Sequence, residues 1–359
     1  MSLLRKIVLK AADLDGYLTD SDRRNLLDLD KTYRRALRLF RQYVQVEGAG
    51  EARETRDALI ALYTELGDRM QTITDREPRI RVYPWQTPPQ SHGEVSRLIA
   101  KLRDVHTGQY EFVYYIQRAF ELLFNLAYGG LGSGKRNHLI VRTPINLPVQ
   151  NYAVHKIPFI DENIENTVVC VMLRGALLPS MIVSKEIQEY SSNGYVTPFA
   201  LFKVSRDDKK TEREMEYTLD LERSYFKLES LHGKDLIFAD PMNATGGSLV
   251  TIVTYLLSNG VEPKSIFFLN VISALKGCLR IVRALEQATV YTLWLDPVLN
   301  TMAYILPGLG DAGDRINGPD IEGMPRDIIA LIAAYGATIT SLYRSQVREI
   351  EATVLGRHQ

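Results

Sequence analysis

Asp240 closes the apolar run Asp235-Leu236-Ile237-Phe238-Ala239-Asp240, and after Pro241-Met242-Asn243 come five small residues, Ala244-Thr245-Gly246-Gly247-Ser248. A buried strand that ends in a carboxylate and turns through small residues into a helix is phosphate-binding architecture. Backbone N–H groups converge on an anion where no side chain blocks them, and the helix start adds the positive end of its dipole. The carboxylate then meets hydroxyls of whatever carries the phosphate, so a sugar phosphate is the expected ligand. The competing reading is an ordinary strand-to-helix turn.

Two more turns carry chemistry. Leu173-Arg174-Gly175-Ala176-Leu177-Leu178-Pro179 follows an apolar run at 167–172, and Arg174 there offers a rigid fork of donors suited to a diphosphate, or serves only as a surface cation. Pro307-Gly308-Leu309-Gly310-Asp311-Ala312-Gly313-Asp314-Arg315 packs glycines and acids into one loop. Glycine at that density lets backbone approach a flat ligand edge-on, or simply makes a tight multiple turn.

The elements that must position these loops alternate. Runs at 167–172, 199–204, 236–239, 266–271 and 289–295 read as buried strands, and helical spacing occurs at 112–127, 249–258 and 279–285. That alternation predicts an α/β fold with an open, mostly parallel sheet flanked by helices, in which ligands bind beyond the C-terminal strand ends. Before it, Leu26, Leu29, Tyr33, Leu37, Phe40 and Val44, then Leu59, Tyr63, Leu66 and Met70, mark two helices of a hairpin, with Asp20 or Ser21 as the expected cap. Pro84, Pro88 and Pro89 place a boundary at 82–91, giving a helical extension at 1–90, a main domain at 91–320 and closing helices at 321–359. The charged run at 205–216 reads as a solvated loop, with a mobile arm near the site as the alternative.

Composition excludes several classes. Lys plus Arg and Asp plus Glu are both 43, so no overall field favours nucleic acid or an anionic membrane, and no run reaches membrane-spanning length. Cys170 and Cys278 lie in apolar runs and suit buried thiols of a reducing cytoplasm; the N-terminus lacks the apolar core of a signal peptide. His92, His106, His138, His155, His232 and His358 have no metal-ligand spacing. Gly129-Gly130-Leu131-Gly132-Ser133-Gly134-Lys135 imitates a nucleotide-binding P-loop, but Arg136 stands where a hydroxyl residue is needed and a helix precedes it.

With the three loops in hand, the sequence resembles the uracil phosphoribosyltransferase family, collinearly over 91–318. The shared pattern includes Leu102-Arg103-Asp104 with Thr107, Arg118 in the helix from Phe112, and Val141-Arg142-Thr143-Pro144. It continues through Asp240-Pro241-Met242 with 244–248, Leu299-Asn300, and the loop ending at Arg315, which is its most discriminating part. The resemblance implies a type I phosphoribosyltransferase fold and transfer of ribose 5-phosphate from phosphoribosyl diphosphate to uracil, giving UMP and diphosphate in pyrimidine salvage. It implies magnesium carried by the substrate, with Asp311 as the candidate protein contact.

Residue by residue, the resemblance makes Arg174, Asp240 and Asp311 the catalytic set. Arg174, Asp240, Ala244, Thr245, Gly246, Gly247 and Ser248 would bind phosphoribosyl diphosphate. The backbone of Ile305, Gly310 and Ala312 would meet the uracil edge. Lys203 and Arg206 would lead into a flexible hairpin, with Tyr217 on its return. Three departures stand out: Asn243 replaces a usual leucine and is expected to add a donor near the phosphate, Gly175-Ala176 inverts the usual order, and 272–277 lacks the usual proline and acid. The alternatives are a ligand-sensing or regulatory module whose N-terminal hairpin recruits a partner, and a transferase for another base. The hairpin's apolar stripe is expected to make a homo-oligomer.

Overall fold

The computed structural model describes residues 6–45, 49–129, 136–207 and 209–318. The expected helices at 321–359 and nearly all of the P-loop look-alike lie outside them. In chain order, β1 (Lys6–Lys10) leads into α1 (Ala11–Tyr17), then the long helices α2 (Asp20–Gln45) and α3 (Ala49–Thr74). β2 (Ile80–Val82), α4 (Tyr83–Gln86), α5 (His92–Arg103) and α6 (Gln109–Tyr128) follow, then β3 (Arg136–Arg142), β4 (Tyr152–Pro158) and α7 (Asp161–Ile164). β5 (Thr167–Leu173), α8 (Leu177–Tyr190), β6 (Phe199–Arg206), β7 (Glu216–Tyr225), β8 (Asp235–Asn243), α9 (Gly247–Ser258), β9 (Ser265–Ala274), α10 (Leu275–Ala284) and β10 (Ala288–Asp296) build the centre. β11 (Val298–Leu299), β12 (Ile305–Leu306) and α11 (Ala312–Asn317) close the described chain.

The eight-stranded sheet has the order β1-β7-β6-β5-β8-β9-β10-β2. Neighbours from β6 to β2 pair in parallel, whereas β7 runs antiparallel to both β6 and β1. Strands covered on both faces need continuous apolar runs, and Val168 to Val171, Leu236 to Ala239 and Ile266 to Leu269 supply them. The open, mostly parallel α/β architecture is therefore the expected one.

The N-terminal ninety residues are organised differently from a separate extension. β1 forms one edge of the sheet and β2 the other, because the chain leaves the first edge, runs out and back through α2 and α3, and rejoins the second. Residues 82–91, where the boundary was expected, hold the end of β2, α4 and a short 3-10 turn. α2 starts one residue earlier than the expected caps: Thr19 and Asp22 exchange backbone-to-side-chain bonds of 3.0 and 3.1 Å, a reciprocal cap that satisfies two free N–H groups. Each long helix has 26 residues, about 39 Å of length. Near the sheet their stripe is buried through Leu29, Tyr33, Leu66 and Met70; towards the tip Phe40, Val44 and Ile60 are exposed. No helix among the described residues is long and apolar enough to cross a membrane.

Candidate active site

β5 connects through α8 to β6 on one side, whereas β8 lies on its other side, so the sheet changes direction of growth between β5 and β8. A switch of this kind opens a crevice beyond the C-terminal strand ends. Arg174 follows β5 and Asp240 lies in the C-terminal half of β8, on either side of that crevice. Asp240 accepts one bond, from the Met242 N–H at 2.9 Å, while its own carbonyl accepts from the Asn270 amide at 3.0 Å. Burial pushes the Asp240 carboxyl up to about 7; the Met242 bond opposes this, nearby Asp311 adds to it, and the Arg206 charge opposes it again. A carboxylate so short of donors is prepared to accept ligand hydroxyls.

The strand does not end at Asp240, as its apolar run suggests, but continues to Asn243. The small residues then pass under close neighbours. Gly246 has φ 75° and caps α9; a Cβ on it would lie 2.8 Å from the Gly277 carbonyl oxygen. A Cβ on Gly247 would lie 2.3 Å from the Tyr217 ring. The loop is thus backed by α10 and by β7, and Tyr217 has a packing role against the small-residue turn. Asn243 is buried beneath the loop, its amide 3.6 Å from the Cys278 sulfur, so it does not add a donor on the ligand side. The Cys278 thiol itself is pushed up to about 12 by burial and is inert.

The glycine-rich loop folds against the Arg174 turn. Arg174 donates to Asp314 at 2.9 Å and to the Gly318 carbonyl at 3.3 Å, and a Cβ on Gly175 would touch Gly313 at 3.5 Å. Asp311 accepts the Asp314 N–H at 3.0 Å as the cap of α11 and lies close enough to Asp240 to shift it. Ile305 is buried in β12; Gly310 takes φ 78°, and Ala312 opens α11. The loop is anchored from behind. Gly308 donates to Asp296 at 2.9 Å, Arg103 donates to the same carboxylate at 2.5 Å, and the Arg315 guanidinium sits 4.1 Å over the Phe112 ring. Arg315 also donates to the carbonyls of Leu102, Leu309, Asp104 and Thr107.

Residues 195–318 match the family model for uracil phosphoribosyltransferase. A protein of that name from Campylobacter fetus is 30% identical over 227 residues, which cover 63% of this chain and 94% of that protein. The chain belongs to the uracil phosphoribosyltransferase family. It is accordingly a pentosyltransferase. A namesake from Dictyoglomus thermophilum is 30% identical over 228 residues, covering 63% of this chain and 96% of its own. Among solved structures, the AQ2163 protein from Aquifex aeolicus aligns with 23% identity and a TM-score of 0.46, covering 64% of this chain and 97% of that one.

Several family-pattern residues serve the loops at one remove. Arg103 and Arg315 tie the glycine-rich loop to α5 and α6. Arg118 pairs with Glu94 between those helices, and Arg142 bonds Gln150 at 2.8 Å in the β3–β4 hairpin, so neither joins the crevice. Arg206 contributes a charge to Asp240 and lies 5.5 Å over the Tyr304 ring, a stronger placement than the sequence suggested. The charged run at 205–216 is not merely solvated: Met215 is buried, and Glu212 is buried against Lys276 and Arg280 at 2.9 and 2.8 Å. Lys276 occupies the segment that departs from the family, and it also reaches Asp15 at 3.4 Å. Sequence reasoning missed this network; the signal was the spacing of Lys276, Arg280 and Arg283, which puts three cations on one face of a helix.

Proposed function

We propose that the protein transfers ribose 5-phosphate from phosphoribosyl diphosphate to uracil, releasing diphosphate and forming UMP. The observation that carries this reading is the meeting of three loops at the β5/β8 switch point, with Arg174 bonded to Asp314 and Asp240 within the field of Asp311. The 5-phosphate would rest on the N–H groups of 244–248, the ribose hydroxyls on Asp240, and the diphosphate against Arg174 and Arg206. As diphosphate departs, positive charge grows on the ribose; an ionised Asp240 beside it stabilises that charge, and the two arginines stabilise the leaving anion. Holding donor and base in line supplies much of the remaining rate.

The base would bind by its edge to the backbone of Ile305, Gly310 and Ala312. Uracil alternates carbonyl and N–H groups, and an amine in place of a carbonyl would leave a buried backbone group unpaired. Among the described residues no group of three or more His, Cys, Asp or Glu side chains is placed to hold a metal. Magnesium fits as an ion carried on the substrate's oxygens, with Asp311 as the candidate protein contact; when bound it would neutralise charge on the diphosphate. The reading also includes self-association, cytoplasmic location and a role in pyrimidine salvage.

Diphosphate release from phosphoribosyl diphosphate should be measured with uracil, cytosine, hypoxanthine and no base. Release is expected with uracil, with UMP in equal amount, and Arg174→Ala and Asp240→Asn should each suppress it. Equal release with all bases, or wild-type turnover in both variants, sinks the assignment.

A further inference from the structure

Arg280 has no exposed surface, and a buried guanidinium without partners is strongly destabilising. Its partners come from two distant parts of the chain. It donates to Asp15 of α1 at 2.7 and 3.1 Å and pairs with Glu212 of the segment between β6 and β7 at 2.8 Å. Its remaining nitrogen reaches the Thr245 carbonyl at 3.5 Å. That carbonyl belongs to the same peptide unit as the Gly246 N–H. In a planar trans peptide the two groups point in opposite directions. A cation that draws the Thr245 oxygen towards α10 therefore aims the Gly246 N–H away from α10.

We propose that Arg280, fixed by Asp15, is a positioning residue for the phosphate loop, and that β1 and α1 are thereby part of the sugar-phosphate site. The proposal rests on the reading of 244–248 as the 5-phosphate cradle. Close packing holds the loop against α10, since a Cβ on Gly277 would lie 2.5 Å from the Ala244 carbonyl oxygen. Arg280 sets the rotation of one peptide within that packing. The N-terminal segment grips α10 along its length: Lys276 and Arg280 meet Asp15, while Arg283 donates to Asp22 at 3.0 Å and pairs with Glu77. Of these cations Lys276 falls in the segment that lacks the family's usual proline and acid, and it meets Asp15 of the N-terminal segment.

The test uses the full-length protein and calorimetry with four probes: phosphoribosyl diphosphate, ribose 5-phosphate, inorganic diphosphate and uracil. Asp15→Asn and Arg280→Lys should each weaken the first two by about tenfold, an ordinary size for coupling between separated groups. Diphosphate and uracil should bind as before, and Asp15→Glu should recover most of the affinity. Unchanged binding of both sugar phosphates overturns the proposal, as does an equal loss of all four probes, which would mark a folding defect. Should the wild type bind ribose 5-phosphate yet turn over no base, the proposed function falls while the variant pattern still decides this inference. A wild type that binds no sugar phosphate removes both.

Discussion

The 244–248 loop and the glycine-rich loop lie on one crevice but are held by opposite means. Residues 244–248 are fixed by contact: Gly246 and Gly247 have no room for a Cβ, one because of the Gly277 carbonyl and the other because of the Tyr217 ring. Residues 307–315 are fixed by tethers, a carboxylate on the Gly308 N–H and a guanidinium spread over four carbonyls. Contact suits a ligand read by several N–H groups at once, since small displacements spoil their convergence. Tethers suit a planar ligand read along one edge, where the loop needs the right height more than a fixed curvature.

Crowding the contact-held loop should therefore do the greatest damage. Gly247→Val drives a branched side chain into the Tyr217 ring, and the loop must shift by something near an ångström. A displacement of that size costs about 100-fold in kcat/KM for phosphoribosyl diphosphate. Uracil affinity, measured separately by calorimetry, should hardly change. A variant with wild-type kinetics would show that the loop yields, and the contrast between the two loops would be lost.

Cutting the tether comes next. Arg315→Met keeps an unbranched apolar side chain but removes the guanidinium over Phe112 and its donors to four carbonyls, and bonds to a charged donor are each worth about 2 kcal/mol. Uracil KM should rise roughly thirtyfold, the kinetic equivalent of about 2 kcal/mol, with little change in the KM for phosphoribosyl diphosphate. Steady-state assays varying one substrate at a time decide the point. Equal rises in both values would mean that the loops act as one body.

The same contrast explains how much was legible in the sequence. Strand, loop and helix at 235–258 are contiguous, so Asp240 and the small residues could be placed from local pattern alone, as could Arg174 after β5. β7 is different: Glu216 to Glu222 alternate polar and apolar, and the strand pairs antiparallel with β6 and β1. The loop reading of 205–216 stops where β7 begins, and of this strand the sequence marked Tyr217 alone, as the return of a hairpin. β2 is three residues long and finds its place only through β10. Asp15 and Arg280 are 265 positions apart, and no local spacing connects them. Asn243 was misplaced for a related reason: the strand runs past Asp240, which turns the Asn243 side chain under the loop towards Cys278.

Asp240 stands between the two loops, and its titration measures how far they are coupled. Burial raises the free carboxyl to about 7, with Asp311 of the tethered loop adding to the rise. The sign follows directly. A carboxyl raised in the folded protein makes its ionisation costly there, so this group's contribution to stability falls as pH rises from 3.8 to about 7 and stays lost above that. In the proposed function ligand binding runs the other way, because ribose hydroxyls would favour the ionised acceptor. Affinity for phosphoribosyl diphosphate should climb about tenfold per unit up to about 7 and then level off. The ligand's own phosphates titrate in the same range, so the readout is the ratio of wild-type to Asp240→Asn affinities at each pH, in which the ligand cancels. Asp311→Asn should move the midpoint of that ratio downward, since the repulsion it removes is one cause of the rise. A midpoint that stays fixed would show that burial alone sets Asp240, and that the tethered loop reaches the sugar-phosphate side only through Arg174 and Asp314.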